Sequence, residues 1–163
     1  MEQNYSGRIT FDGVDSRELD HCYMKECIFS IVEQEPNLIF PTLRENMQGA
    51  LDSDTELIKW MKKFDMLDFL QMINSDLGYR VSNHATNLSG GEKQKIAILR
   101  SLIKKSDVLI LDEPNSAFDV DGTESLCDTL IDLKKDKIII VITHRIELQN
   151  ICDVIISLDG GAT

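Results

Sequence analysis

The sequence predicts an α/β fold built on a mostly parallel sheet and interrupted by a long helical stretch. Short apolar runs at Ile28–Val32, Val108–Leu111, Ile138–Ile142 and Val154–Leu158 alternate with helix-periodic segments. Continuous apolar runs mark strands buried on both faces of a parallel sheet, and their alternation with helices implies crossover connections. Two of the runs also end in polar groups, Asp112-Glu113-Pro114 and Thr143-His144-Arg145. Sheets of this class bind ligands beyond the carboxyl ends of their strands.

Taken in order, Gly7–Phe11 followed by Asp12-Gly13 reads as a strand entering a turn. Ile28–Val32 is expected as a core strand. From Thr42 to about Lys105 the chain turns helical: Leu57, Trp60, Met61, Phe64, Leu67 and Leu70 recur at helical spacing and form one apolar face, read as core. Ser89-Gly90-Gly91 then opens a helix with Ile96, Leu99 and Ile103 on its apolar side. Glycines permit close backbone approach. A helix N-terminus offers unpaired N–H groups and a favourable dipole to an anion. Ser89 sits at or near the N-cap, with Glu92 and Gln94 as polar groups in the first turns. After the strand Val108–Leu111, one carboxylate of the Asp112-Glu113 pair can supply a hard oxygen of the kind Mg²⁺ prefers. The neighbouring carboxylate can orient and deprotonate a water, and Pro114 turns the chain out of the strand. Thr123–Lys134 is a helix with Leu126, Leu130 and Ile131 facing inward, and Ile138–Ile142 and Val154–Leu158 are two further strands.

The 163 residues suit one domain with a respectable core. A formal net charge of −11 argues against a nucleic-acid partner, which needs clustered Lys and Arg. Lys134, Lys135 and Lys137 form the densest basic cluster and read as a solvated helix end. No apolar run has the length of a membrane span, and MEQNYSGRIT has no signal-peptide pattern, so no direct membrane insertion is expected. Cys22, Cys27, Cys127 and Cys152 lack metal-site spacing and read as reduced thiols, with Cys127 and Cys152 packed as small hydrophobes.

The segment from Leu88 to Asp119, LSGGEKQKIAILRSLIKKSDVLILDEPNSAFD, together with its flanks, resembles the ATP-binding-cassette (ABC) transporter family. Leu88–Gln94 resembles the signature motif, and Val108–Glu113 the Walker B strand with its glutamate. Ser116-Ala117-Phe118-Asp119 resembles the D-loop, with Phe118 in place of the usual leucine, and His144 the H-loop histidine. Glu33-Gln34-Glu35-Pro36 resembles the Q-loop. The resemblance spans about Gly7 to Gly161 and keeps the family order.

This resemblance implies a P-loop NTPase-like (RecA-like) core with an inserted helical subdomain. Its expected division is residues 1–42 as a core part with the Q-loop, 43–105 as the helical subdomain ending in the signature helix, and 106–163 as a core part with Walker B, D-loop and H-loop. It implies ATP and Mg²⁺ as ligands. Glu113, His144 and Gln34 are then the catalytic candidates, and Ser89, Gly90, Gly91, Glu92 and Asp119 the nucleotide contacts. Asp112 and Gln34 are the metal candidates. A second cassette, in a homo- or heterodimer, and the transmembrane domain of a transporter are the implied partners. That places the chain at the cytoplasmic face of a membrane through its partner.

The P-loop pattern G-x-x-x-x-G-K-[ST] does not occur, nor does any Gly-Lys dipeptide. The expected fold is therefore truncated at its N-terminus, and the chain alone is expected to be inactive. The absent strand is expected beside Val108–Leu111, leaving an apolar sheet edge or face uncovered. Two other readings use the same residues. A non-catalytic module of the same fold would cap ATP on a partner cassette. A chromosome-maintenance ATPase shares the Ser-Gly-Gly and Asp-Glu elements, but the region from Q-loop to signature motif lacks coiled-coil heptads.

Overall fold

The computed structural model describes residues 6–47, 53–114 and 118–157. Three strands form its main sheet: β3 (Phe29–Val32), β4 (Val108–Asp112) and β5 (Ile138–Ile142), all parallel, with β4 in the centre. A short antiparallel hairpin, β1 (Thr10–Phe11) with β2 (Val14–Asp15), precedes them. Gly13 supplies the positive φ of its turn. The short helix α1 (His21–Tyr23) is N-capped by Asp20 and runs into a wider π turn over Met24–Ile28, so β3 starts one residue later than the apolar run suggests.

The helical stretch contains α2 (Leu43–Asn46), α3 (Asp54–Lys63), α4 (Leu67–Met72) and α5 (Gly90–Ile103). Thr42 and Glu45 close a reciprocal capping box on α2. Leu57, Met61, Phe64 and Leu70 are buried as their spacing predicts, whereas Leu67 lies half exposed at the start of α4. Phe64 stacks on Trp60 and meets Phe118 edge-on, with ring centroids 5.8 Å apart in the second pair. Phe118 thus reaches back to the helical region. Lys95 Nζ lies over the same Phe118 ring at 5.4 Å.

Beyond β4 come α6 (Val120–Leu133) and, after β5, α7 (Ile146–Gln149). The two faces of the sheet differ. On one, Val32, Leu109, Leu111, Ile139 and Val141 join α5 and α6 in the main core, where Ile96, Ile98, Leu99 and Leu126 are fully buried. Each such side chain contributes about 1.5–3 kcal/mol. On the other face, Met24 and Phe11 cover only the start, around Phe29 and Val108. Further along, Ile31, Ile110 and Ile140 sit in register across the sheet, and Ile31 and Ile140 are exposed.

Several expectations need correction. The centre of the sheet is β4, paired on both sides, so no strand position is open beside Val108–Leu111; among the described residues the free edges belong to β3 and β5. Val154–Ser157 forms no strand, because no neighbouring strand pairs with it among the described residues; Leu158 lies outside them. Instead this apolar segment and β5 line an open groove of about 930 Å³. Ile131 is exposed rather than buried, and Cys152 is exposed rather than packed. The basic cluster is only partly a solvated helix end. Lys134 pairs with Asp153 at 2.7 Å. Lys137 Nζ donates to the carbonyls of Lys104 and Ser106, and burial pushes its pKa down.

Candidate nucleotide site

The candidate residues converge at the C-terminal end of the parallel sheet because register puts them there. Val32 of β3 pairs with Leu111, and Asp112 pairs with Ile142. Asp112-Glu113, Gln34 and Thr143-His144 therefore leave three adjacent strands at the same end. His144 Nδ1 lies 3.0 Å from Glu113 Oε1. A carboxylate only accepts hydrogen bonds, so Nδ1 carries a proton and donates a hydrogen bond to Glu113, and Nε2 is not used by this contact. The imidazole is largely exposed, at 80 %, while the Glu113 side chain is 23 % exposed. Gln34 is exposed and makes no described contact with the pair.

Glu113 occupies a left-handed conformation, φ 46°. This is costly for a residue with a Cβ, and about 1–3 kcal/mol is typical of such backbone strain. It also precedes Pro114, which favours extended backbone at the position before it. Both backbone polar groups of Glu113 are tied. Its N–H donates to the Ile142 carbonyl at 2.9 Å. Its own carbonyl accepts from Gln94 Nε2 of α5, also at 2.9 Å. The sequence marks Gln94 as a polar group in the first turns of α5 and as the end of the segment resembling the signature motif, with no contact of its own. The signal for a larger role is its position: it lies one turn before Ala97 and Ile98, on the buried side of α5, and is itself buried.

The start of α5 is as the Ser-Gly-Gly pattern predicts. Ser89 is the N-cap; its hydroxyl accepts from the Glu92 N–H at 3.2 Å, and Glu92 Oε2 takes both the Ser89 N–H and hydroxyl. Glu92 is thereby engaged within the cap. Nothing lies within 4 Å of where a Cβ on Gly90 would be, leaving the helix end open to an approaching anion. Asp119 is the N-cap of α6 and accepts from the Gly122 N–H at 2.8 Å. Ser116 and Ala117 of the D-loop segment lie outside the described residues.

The donors present fit a single magnesium ion. Asp112 is half-buried at the strand end, and no hydrogen bond or ion pair engages its carboxylate among the described residues. Those residues contain no cluster of three or more His, Cys, Asp or Glu able to hold a metal. One carboxylate completed by substrate phosphates and water is the usual arrangement for Mg²⁺.

The family model described as "ABC transporter" matches residues 1–116. The chain is 34% identical over 160 residues to the ATP-dependent lipid A-core flippase of Francisella tularensis, covering 96% of this chain and 26% of that protein. It is 34% identical over 158 residues to the mitochondrial potassium channel ATP-binding subunit of Rattus norvegicus, covering 96% of this chain and 22% of that protein. Among solved structures, a bacterial Atm1-family ABC exporter with ATP bound matches with a TM-score of 0.75 and 28% identity, covering 88% of this chain and 26% of that one. The chain thus spans about a quarter of the length of these relatives.

Proposed function

The chain belongs to the ABC transporter family, and we propose that in its parent protein it forms the part of the ATPase domain that activates water and caps ATP to energise transport. The observation carrying this reading is the Glu113–His144 pair, 3.0 Å apart at the carboxyl end of the sheet beside Asp112. Glu113 is the general base that takes a proton from the attacking water. His144 is oriented through Nδ1 and, in its doubly protonated form, donates from Nε2 to the transferring phosphate. Asp112 would hold Mg²⁺, with Gln34 as a further ligand from the end of the neighbouring strand, and the bound ion would supply charge neutralisation at the phosphates. Ser89, Gly90 and Gly91 offer the α5 N-terminus to a nucleotide, and Glu92 braces that cap. Asp119 positions the D-loop at the start of α6.

The named relatives, a flippase and an exporter-type structure, favour an exporter as the parent. No helix among the described residues is long and apolar enough to cross a membrane; the transmembrane domain of a transporter is the partner this reading assigns. The groove of about 700 Å³ lined by Leu38–Pro41 and Arg80–Asn83, with Ile39 and Phe40 exposed, supports docking of such a domain. The test is ATP turnover by the parent protein in liposomes. Glu113→Gln is expected to abolish hydrolysis while retaining Mg-ATP binding. Wild-type turnover in that variant contradicts the reading.

A second reading is favoured by the open surface over Gly90. In it, this chain caps ATP held by another cassette without turnover of its own. Adding the chain to an intact cassette then raises that cassette's ATP affinity, and unchanged affinity and turnover reject the idea.

A further inference from the structure

We infer that Gln94 is a positioning residue: its side-chain amide, bonded to the Glu113 carbonyl, holds the Glu113 turn in the one conformation that brings the carboxylate to His144. The inference rests on the pairing of Glu113 with His144 proposed above.

Two local preferences oppose the observed turn. A residue with a Cβ avoids positive φ, and the residue before a proline favours extended backbone. Glu113 has φ 46° and precedes Pro114. The turn must therefore be held from outside its own segment. The Glu113 N–H is held by the Ile142 carbonyl, which is main chain and continues the β4–β5 ladder. The Glu113 carbonyl is held by Gln94 Nε2 at 2.9 Å, the one of these two ties that depends on a side chain. Gln94 is 3% exposed, so water competes poorly for that carbonyl. Its backbone belongs to α5, the helix that Ser89 caps. A movement of α5 along its axis would therefore pull on Glu113 directly. The amide links the helix that faces the nucleotide to the carboxylate that meets the water.

The experiment follows the His144 side-chain ¹⁵N resonances in this chain by NMR, with Glu113→Ala as the reference for a broken pair. Gln94→Met keeps the length of the side chain and removes the donor. Gln94→Glu keeps its shape and turns the donor into an acceptor, serving where the methionine variant fails to fold. The expected result is that a folded Gln94 variant moves the His144 Nδ1 resonance more than halfway to the Glu113→Ala position. A merely structural role for Gln94 lowers the melting temperature without that shift. A wild-type His144 signal in both folded variants, with Glu113→Ala displaced, overturns the inference and leaves the Glu113–His144 pair intact. A wild-type signal in Glu113→Ala shows that the pair itself does not form, and overturns both.

Discussion

His144 Nδ1 meets Glu113 Oε1 at 3.0 Å, although 31 positions separate the two residues in sequence. Parallel pairing of β4 with β5 makes the contact possible, because Asp112 stands opposite Ile142 and both strands run out at the same end. The left-handed turn at Glu113 then swings its side chain toward the neighbouring strand end rather than onward along its own.

The cap at Ser89 has a structural value separable from any ligand. Ser89→Ala removes the hydroxyl that accepts from Glu92 N–H and donates to Glu92 Oε2. A loss of about 1 kcal/mol is expected, read as a fall in melting temperature of about 2–4 °C for a chain of this size. Ser89→Thr is expected to restore most of it.

Phe118, just before α6, packs on the helical region through Phe64 and Lys95. Phe118→Ala is expected to destabilise the chain by about 3–5 kcal/mol in urea unfolding. Phe118→Leu, which keeps much of the buried volume, is expected to cost clearly less. Equal losses in the two variants would show that the ring contacts contribute little.

Asp15 gives the acid limb of stability a specific source. The hydrogen bonds from Arg17 to its carboxylate, side chain first and backbone second, hold its pKa far below the ordinary value of 3.8. A depressed folded-state pKa contributes stability that is fully present above the unfolded value and is lost as pH falls through the folded one. Wild-type chain is therefore expected to lose stability below about pH 4 that Asp15→Asn, already weaker at neutral pH, does not lose. Urea midpoints of the two proteins across that range check this; parallel profiles would contradict it.

The free edge of β5 and the apolar face beside it make the isolated chain prone to association. Ile138, Ile140 and Ile142 are each about half exposed or more, and Val154, Ile155 and Ile156 across the groove are exposed too. Open strand edges flanked by apolar surface invite pairing with another chain. Sedimentation is expected to show concentration-dependent oligomers that Ile140→Lys reduces. A monodisperse wild-type monomer at high concentration would contradict this.

Much of the fold was legible because the signals were local. The apolar run Val108–Leu111, the Ser89 cap and the stripe from Leu57 to Leu70 each carry their structure within a few residues. What was not legible depended on neighbours. Val154–Ser157 has the composition of a strand but has no pairing partner among the described residues, and composition does not encode partners. The central place of β4 is likewise a matter of strand order, to which apolar runs are blind. In the candidate site, Asp112, Glu113 and His144 stood at readable strand ends. Gln94 did not stand out, because its role arises from a contact 19 positions away that no spacing rule anticipates.

The most direct test is a double-mutant cycle on Glu113 and His144 in the parent transporter, read as single-turnover ATP hydrolysis at saturating Mg-ATP. Glu113→Gln is predicted to lower the rate by about 10²–10⁴-fold. Adding His144→Ala is predicted to cost little more, because the two residues act as one unit. Losses that multiply independently, or a Glu113→Gln variant that turns over at the wild-type rate, would contradict the account.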